Sequence, residues 1–363
     1  MPKRERAGNK GSRKYITQKD VAERAGVSPS IVSYVINNGP RSISEDTRQR
    51  VLRAIAELEY RPNVHAQKLM RASWERELAP GQFGILIGGE RTILRRPYYA
   101  NLLVGILEEA DQQNIHLRFF QFFDDLQCPV LFNKLINSEE VSAIILISTG
   151  PLMQSEEGLA RLEQIRARVP NLVSIGRQLP AIPSVMVDLI NAARQATDYL
   201  LYLGHRRVAY ISDPNLRLNG YRQALEDHHI PFDPALFIDI GVAYTPADGY
   251  RGAQALLDSG LLSGEERVTA IMAGNDEVAM GVMRRLQESG INIPRDLSVM
   301  GIDNHELSAF CTPALSTIQL PHHQIGLLAV QTILQRIGRT DEPPSLTILP
   351  TTLIVRESCT PPN

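Results

Sequence analysis

The chain has 363 residues, enough for two or three domains, and its 43% hydrophobic and 21% charged content is ordinary for a folded globular protein. Its formal net charge is −2, but residues 1–79 hold 16 Lys and Arg against 9 Asp and Glu, so the remainder is acidic. These values exclude a wholly disordered chain and favour a nucleic-acid-binding segment attached to a larger body, with a solvated basic tail as the alternative.

Three features of the sequence concern the compartment. It has no apolar run of about 18 residues, as a membrane helix requires, and its basic first residues are not followed by the apolar stretch of a secretory signal peptide. Cys128, Cys311 and Cys359 are odd in number and widely spaced, and are expected to be free thiols. We therefore expect a cytoplasmic protein whose residues 1–14 form a basic disordered arm.

The N-terminal segment predicts three short helices. Thr17, with Asp20 three residues later, forms a near capping box that begins the first helix, and Gly26 ends it after two turns. Ser28 followed by Pro29 begins the second helix, because a proline at the first helical position loses no hydrogen bond. The first two helices are thus separated by a short glycine turn.

The second helix has an apolar face, which consists of Ile31, Val32, Val35 and Ile36 and leaves the opposite face free for contacts. Ser44, followed by two acidic residues, begins the third helix. Two short helices joined by a glycine turn, with a third completing the core, are the layout of a helix-turn-helix domain, whose second helix enters the DNA major groove. A generic three-helix scaffold is the alternative.

From residue 81 onward, short apolar runs alternate with amphipathic stretches. We predict strands, with helices between them, at 83–88, 115–120, 142–147 and 172–175, and a second series at 185–187, 208–211, 236–239, 269–272 and 298–301. This alternation predicts an α/β body of two lobes, each a parallel sheet covered by helices. Ligands of such folds bind beyond the carboxyl ends of the strands, so we expect a ligand between the lobes.

The same architecture occurs in enzymes, but no catalytic signature is present. The chain has no GxGxxG after a strand, no GxxxxGK[ST], no HExxH and no GxSxG. Its paired histidines, His228-His229 and His322-His323, are adjacent rather than one helical turn apart, which favours surface or packing roles over metal binding. We expect no enzymatic activity, no metal and no cofactor.

Residues 17–38, TQKDVAERAGVSPSIVSYVINN, resemble the DNA-binding headpiece of the lac repressor family of bacterial transcription regulators, and residues 60–69, YRPNVHAQKL, resemble its hinge. The body resembles that family's body, which is similar to periplasmic sugar-binding proteins, at 203–211, 217–221, 273–281, 301–304 and 349–357. The resemblance implies a helix-turn-helix headpiece at 15–61, a hinge helix and linker at 62–80, an effector-binding and dimerisation domain at 81–358, and a tail at 359–363. Within the body it implies an N-lobe, 82–184 with 320–348, and a C-lobe, 185–319 with 349–358.

The resemblance assigns DNA contacts to headpiece and hinge residues. Pro29 and Ser30 match positions that contact bases, and Tyr34 stands where many members have an arginine. Because tyrosine offers one hydroxyl and an apolar ring, whereas arginine binds guanine at two points, we expect a different operator. Leu69 matches an apolar wedge that opens a base step in the minor groove. Phosphate contacts are assigned to Ser28, Asn37, Thr47 and Arg50, and the predicted set is completed by Thr17, Ser33, Asn63, Ala66 and Gln67.

The resemblance also implies an effector site built mainly at the ends of strands. It contains a guanidinium, an amide and a carboxylate, which suit the hydroxyl groups of a polyol, and aromatic rings, which suit the apolar face of a sugar. The predicted effector-binding residues are Tyr98, Tyr99, Arg177, Arg217, Tyr244, Asn275, Asp303 and Leu320.

Two departures from the family pattern limit how far the ligand can be named. Gly176-Arg177 stands where many sugar-responsive members have an aspartate, and Leu320 replaces a frequent polar residue. The long loop 88–97 carries three arginines that suit an anionic group, with a solvated surface loop as the alternative. A sugar, including an acidic or phosphorylated one, is the first expectation, and a purine or nucleoside is the second.

The function implied is that of a dimeric transcriptional regulator, expected to be a repressor, that binds a pseudo-palindromic double-stranded DNA operator. An effector would change the angle between the lobes and thereby permit or prevent pairing of the hinge helices. Residues 358–363 contain no apolar heptads, so we expect a dimer rather than a tetramer. A solute-binding receptor and a sugar- or nucleotide-processing enzyme are the alternatives.

Overall fold

The computed structural model describes residues 16–37, 43–60, 82–150, 153, 155–241, 244–337 and 343–363. The predicted N-terminal arm and the hinge helix and linker lie outside these residues. Among the helices that are described, none is both long enough and apolar enough to cross a membrane. The three cysteines are free.

The N-terminal segment forms the three predicted helices, α1 (Gln18–Ala25), α2 (Pro29–Asn37) and α3 (Glu45–Glu57). At the start of α1, the Thr17 hydroxyl accepts the backbone N–H of Asp20, and the Asp20 carboxylate accepts the N–H of Thr17. Gly26 ends α1 with a φ of 66°, a left-handed conformation that glycine adopts without strain. The capping pattern therefore predicted both ends of this helix.

The headpiece has its own apolar core. Val21, Val32, Val51 and Ile55 are fully buried in it, and residues from each of the three helices contribute. Removing each such side chain from water stabilises the fold by roughly 1.5–3 kcal/mol. The apolar face predicted for α2 packs inward, as expected for the second helix of a helix-turn-helix domain.

The body contains two sheets of six strands each. The first sheet has the order β11-β5-β4-β3-β1-β2, and every strand pair with a described register is parallel. Its strands are β1 (Gln82–Ile87), β2 (His116–Phe122), β3 (Ala143–Ile147), β4 (Leu172–Ile175), β5 (Ser184–Val187) and β11 (Leu346–Leu349).

The second sheet has the order β12-β10-β9-β8-β6-β7 and is parallel except at one edge, where β12 runs antiparallel to β10. Its central strands are fully buried, as expected for a parallel sheet covered on both faces. Its strands are β6 (Val208–Ser212), β7 (Phe237–Asp239), β8 (Ala270–Ala273), β9 (Ser298–Asp303), β10 (Ser316–Gln319) and β12 (Thr352–Ile354).

Helices follow most of these strands, which gives the predicted α/β alternation. In the described part of the body they are α4 (Pro97–Gln112), α5 (Pro129–Leu135), α6 (Glu156–Arg168), α7 (Leu189–Tyr202), α8 (Leu216–Asp227), α9 (Pro246–Asp258), α10 (Asp276–Glu288) and α11 (His322–Arg336). The loop 88–97 contains a short 3-10 helix, Arg91–Arg95.

One strand was wrongly grouped from the sequence. The sequence pattern predicts residues 185–187 as the first strand of the second series, but β5 pairs with β4 and β11 in the first sheet. The chain pattern identified the strand, whereas sheet membership depends on non-local pairing. The sequence analysis also did not predict α11 or the strands β10, β11 and β12. These three strands are only three or four residues long.

Two compact units are present, and each is described by itself. The first consists of the described parts of 1–91, 110–173 and 332–342, and the second of 92–109, 174–331 and the residues from 343 onward. Within the first unit, the buried Asn133 side chain donates to the backbone oxygens of Ile55 and Tyr60 at 3.5 and 3.4 Å. The body thus satisfies carbonyl groups at the end of α3.

Candidate functional site

The exposed surface of α2 is the candidate DNA-binding surface. Ser28, Pro29 and Ser30 are exposed at its start, and Ser33 and Tyr34 are half-buried one turn further on. The first turn of α2 carries no acidic residue, whereas α1 and α3 each begin with acidic side chains. The positive end of the α2 dipole is therefore left uncompensated and can attract a phosphate.

Three further predicted DNA contacts have partners within the headpiece. Thr17 caps α1, and the Thr47 hydroxyl accepts a hydrogen bond from Ser44 at 2.8 Å. Arg50 donates from Nη1 to the Ala25 carbonyl at 3.2 Å, and its Nε lies 3.3 Å from the Asp46 carboxylate. These contacts hold the helices together, so a phosphate would compete with them for Arg50.

Five predicted DNA contacts cannot be placed in detail. The bounds of α2 include Asn37, but its side chain is outside the described set. The hinge residues lie wholly outside the described residues, and their roles stay predictions; they are Asn63, Ala66, Gln67 and Leu69.

The predicted effector residues all belong to the second unit. Most stand just after a strand or in the first turn of a helix, where polar groups and helix ends face outward from the sheet. Asp303 ends β9, Asn275 follows β8, Leu320 follows β10, Arg177 follows β4, Arg217 lies in the first turn of α8, Tyr244 precedes α9, and Tyr98 and Tyr99 lie in the first turn of α4.

Tyr244 brings two cationic side chains together. The guanidinium carbons of Arg96 and Arg217 lie 5.8 and 5.5 Å from the centroid of its ring, within the range of cation–π attraction. Its hydroxyl accepts a hydrogen bond from the Asn215 amide and lies 3.4 Å from the Ser212 hydroxyl. The ring is therefore held from both its face and its hydroxyl end.

Asp303 has an unusual backbone, with a φ of 121°, and its side chain is 20% exposed. The turn that follows is fixed by Asp276, whose buried carboxylate accepts the N–H of His305 at 2.7 Å, and by Arg356, which donates to Asn304 at 2.6 Å. Burial raises the pKa of Asp303 to about 7, and the Arg217 charge opposes this shift. A carboxylate is thus presented on a fixed, strained turn.

Two glycines explain parts of the motifs at these strand ends. A side chain at Gly301 would collide with the buried Asp276 carboxylate, and one at Gly274 would collide with Ser212 and the Tyr244 ring. The glycines before Asn275 and Asp303 are therefore required by the close packing of the site.

Other predicted residues have structural roles or are less enclosed. The Asn275 carboxamide oxygen accepts the Val278 N–H at 2.8 Å and caps α10, which leaves its NH₂ group for a ligand. Tyr99 and Leu320 are buried, whereas Arg177 is exposed. The Tyr98 hydroxyl lies close to Gly176, the residue before Arg177, because a Cβ placed on Gly176 would be 3.6 Å from it.

Four residues near this cluster were not among the predicted effector-binding residues, although the sequence offered the arginines of loop 88–97 for an anionic group. They are Arg96, Asp213, Glu277 and His322. Burial raises the pKa of Asp213 and of Glu277, with Arg217 and Arg96 respectively opposing the shift. Asp213 follows directly after β6, whereas Glu277 lies in the first turn of α10, the helix that follows β8. Both positions are close to the end of a strand and could have been found for that reason. His322 begins α11, an unpredicted helix, and burial lowers its pKa to about 4.

The donor and acceptor groups of this cluster are nearly balanced in charge. Two guanidinium groups, from Arg96 and Arg217, face three carboxyl groups, from Asp213, Glu277 and Asp303. Such a mixture matches the hydroxyl groups of a polyol, each of which both donates and accepts. Among the described side chains, no group of three or more His, Cys, Asp and Glu could hold a metal ion.

Comparisons with known proteins match both parts of the chain. Residues 17–63 match the family model of bacterial regulatory proteins, lacI family, and residues 197–359 match that of a periplasmic binding protein-like domain. The chain is 30% identical to the HTH-type transcriptional regulator DegA of Bacillus subtilis (strain 168), over 95% of this chain and 98% of the relative. It is also 30% identical to the ribose operon repressor of Haemophilus influenzae (94% and 98%) and to the HTH-type transcriptional repressor PurR of Escherichia coli O139:H28 (94% and 96%).

Solved structures resemble nearly the whole chain. A complex of the transcriptional regulator CelR with cellobiose has a TM-score of 0.65 at 27% identity, covering 94% of this chain and 99% of the other. The lac repressor dimer bound to operator and the anti-inducer ONPF has a TM-score of 0.65 at 26% identity, covering 96% and 100%. These matches extend over the headpiece and the body together.

Proposed function

Because the chain belongs to the lacI family of bacterial regulatory proteins, as its motifs indicated, we propose that it represses transcription under the control of a small ligand. One observation carries this proposal. The same chain has an exposed surface on α2 and a polar cluster around Tyr244 that is suited to a small polyol. We also propose that it acts in the cytoplasm, because its target is DNA.

A sugar is the proposed effector class, and a purine or nucleoside is the alternative. Relatives include a ribose operon repressor and the purine repressor PurR, and CelR is similar in structure and binds cellobiose. The nearly balanced charges around Asp303 favour a neutral polyol over an acidic or phosphorylated sugar. Of the three arginines in the loop 88–97, Arg91 pairs with Asp125 at 3.0 Å in the first unit.

The regulator acts as a homodimer whose two headpieces bind the halves of a pseudo-palindromic operator. The similar lac repressor structure is a dimer bound to operator. The effector acts by binding the operator-bound and the DNA-free forms of the protein with different affinities. A ligand with equal affinity for both forms would leave the operator affinity unchanged. The predicted domain boundaries, including the hinge at 62–80, form part of this proposal.

A solute-binding receptor and a sugar- or nucleotide-processing enzyme are the alternative functions. The three relatives named above are a transcriptional regulator and two repressors, which favours neither alternative. We propose that this chain has no catalytic activity of its own.

The proposed function is tested by selecting bound sequences from a random DNA pool with the purified full-length protein. The selection is repeated with D-ribose, cellobiose, D-glucose, adenosine and hypoxanthine. We expect one pseudo-palindromic sequence to be enriched and its retention to change with one of these compounds. Enrichment of no sequence under any condition would contradict the assignment as a DNA-binding regulator.

A further inference from the structure

His322 has a feature that its expected packing role does not explain. Its side chain is only 5% exposed, and its Nε2 atom is buried with no hydrogen-bond partner in the described part of the chain. The facing group is the Asp303 carboxylate, whose Oδ1 lies 3.9 Å away. That separation is too long for a hydrogen bond. A buried polar atom left in this way lowers stability, so an occupant that satisfies it is expected.

The imidazole is held in a fixed orientation. The Tyr98 ring packs edge-to-face on it, with centroids 4.7 Å apart and planes at 85°, and Tyr98 packs in the same way on Tyr99. The His322 backbone N–H donates to the Leu320 carbonyl at 2.9 Å at the start of α11. Both the aromatic contacts and the backbone therefore keep Nε2 directed toward Asp303.

A second unsatisfied donor lies in the same cluster. The Arg217 Nε atom is buried and also has no hydrogen-bond partner among the described residues. Its guanidinium contributes positive charge at both Asp303 and His322. Three polar groups with unused hydrogen-bonding capacity, a carboxylate, an imidazole and a guanidinium, thus lie close to one another.

We propose that His322 contacts the effector directly, and that His322 Nε2 and the Asp303 carboxylate together bind two neighbouring hydroxyl groups of a vicinal diol. This inference rests on the proposed function and names the chemistry of its ligand. One hydroxyl donates to the carboxylate, and the next exchanges a hydrogen bond with the imidazole. The Arg217 Nε then donates to an oxygen of the same ligand.

Other ligand groups fit this pair less well. Asp303 and Glu277 would repel a carboxylate or phosphate at the same place. Burial keeps the His322 imidazole neutral at pH 7, so it adds no positive charge to offset that repulsion. A free purine base has no vicinal diol, whereas a free sugar and the ribose of a nucleoside both carry one, and the experiment separates these two sources.

The test uses His322→Phe, which keeps an aromatic ring against Tyr98 but removes the nitrogen. His322→Gln, whose amide nitrogen reaches a similar place, is the rescuing variant. His323→Phe is the matched control, because the neighbouring His323 is 46% exposed and pairs with Glu108 at 2.7 Å. Calorimetry on full-length proteins compares D-ribose, D-glucose and adenosine, the monodeoxy forms of each, and hypoxanthine. Melting of the unliganded proteins shows that each variant is folded.

We expect one diol compound to bind the wild type and at least one of its monodeoxy forms to bind about tenfold more weakly, as the loss of one hydrogen bond predicts. His322→Phe should abolish this difference, His322→Gln should restore part of it, and His323→Phe should retain it. Binding of D-ribose or D-glucose identifies a free sugar, and binding of adenosine alone identifies a nucleoside.

Two results would overturn the inference while leaving the proposed function intact: tight binding of hypoxanthine alone, or unchanged discrimination in His322→Phe. If the Phe variant does not fold, His322→Leu, which also lacks the ring nitrogen, takes its place in the same comparison with the His323→Phe control. A different result would contradict the proposed function itself: the protein binds none of the compounds, and none of them changes its affinity for the operator.

Discussion

Asp276 and Asp303 are neighbouring acidic residues with different roles. Asp276 is fully buried, and its two carboxylate oxygens accept the His305 N–H and the Thr317 hydroxyl, which fixes the turn after β9. Asp303 lies on that turn with part of its carboxylate exposed. One carboxylate therefore holds the backbone, and the other remains available to a ligand.

The raised pKa of Asp303 predicts a pH dependence of effector binding. Hydroxyl groups donate to the ionised carboxylate, so the ligand binds the deprotonated form and affinity increases as pH rises through the pKa of about 7. The ionised fraction rises from about 0.1 at pH 6 to about 0.9 at pH 8, so the affinity should rise about tenfold over this range. Calorimetric titration across that range measures it.

Asp303→Asn provides the control for this pH dependence. It should bind the effector weakly, with an affinity nearly independent of pH, because its side chain does not titrate. An unchanged rise in the variant would assign the pH dependence to Asp213 or Glu277, whose pKa values are also raised by burial.

Tyr34 is expected to influence which bases are preferred. Tyr34→Arg should introduce a preference for guanine at one operator position, because a guanidinium binds the O6 and N7 atoms of guanine together. The salt dependence of binding should change little, since it reports mainly phosphate contacts. Selection of bound sequences, with Tyr34→Phe as the ring-preserving control, measures the preference. An operator identical to that of the wild type would contradict this role for Tyr34.

Sequence motifs located most of the candidate ligand site but not all of it. Arg217, Asn275 and Asp303 stand in recognisable motifs, so the resemblance could place them. For His322 the sequence predicts only a surface or packing role, because a sequence does not reveal that a nitrogen is buried without a hydrogen-bond partner among the described residues. Its burial depends on contacts with Tyr98, more than 200 residues away in the chain.

At the level of elements, the helix ends were the most predictable features. The capping of α1 and α3 depends on residues only three positions apart, so local sequence determines it. The sheet membership of β5 depends on pairing with β4 and with β11, which lies about 160 residues later. Local patterns could therefore identify this strand but could not assign it to a sheet.

Thr17→Ala should destabilise α1, because it removes the hydroxyl that accepts the Asp20 N–H. The expected cost is about 1 kcal/mol, which corresponds to roughly fivefold faster hydrogen exchange of the α1 amides where local opening limits exchange. Exchange is measured by mass spectrometry on the full-length protein without DNA, so that a predicted DNA contact of Thr17 does not interfere. Lys19→Ala, an exposed change in the same helix, should leave the protection unchanged; equal loss in both variants would contradict the capping role.

For the whole molecule, an exposed apolar patch in the second unit is consistent with dimerisation. Leu307 and Phe310 are 56% and 77% exposed, and Val355 is exposed beside Arg356, whose guanidinium donates to the Ser308 hydroxyl. Apolar side chains grouped in this way are typical of a surface that another protein covers. A second copy of the chain is the occupant that the proposed homodimer supplies.

Phe310→Asp should therefore convert the dimer to a monomer at micromolar concentration, because a charge would be buried in the interface. Light scattering measures the mass, and operator binding should weaken as the two headpieces become independent. Leu159→Asp, which changes another exposed apolar residue, on α6 in the first unit, is the control and should remain dimeric. A dimeric Phe310→Asp protein would exclude this patch, and a stable wild-type tetramer would contradict the predicted assembly.

A reciprocal titration measures whether this chain couples its DNA site to its small-molecule site. Operator affinity is measured with and without saturating effector, and effector affinity is measured with and without operator, using the compound identified by the DNA selection. Because the two binding equilibria are linked, both affinities should change by the same factor. An operator affinity unaffected by saturating effector would show that the two sites are not coupled.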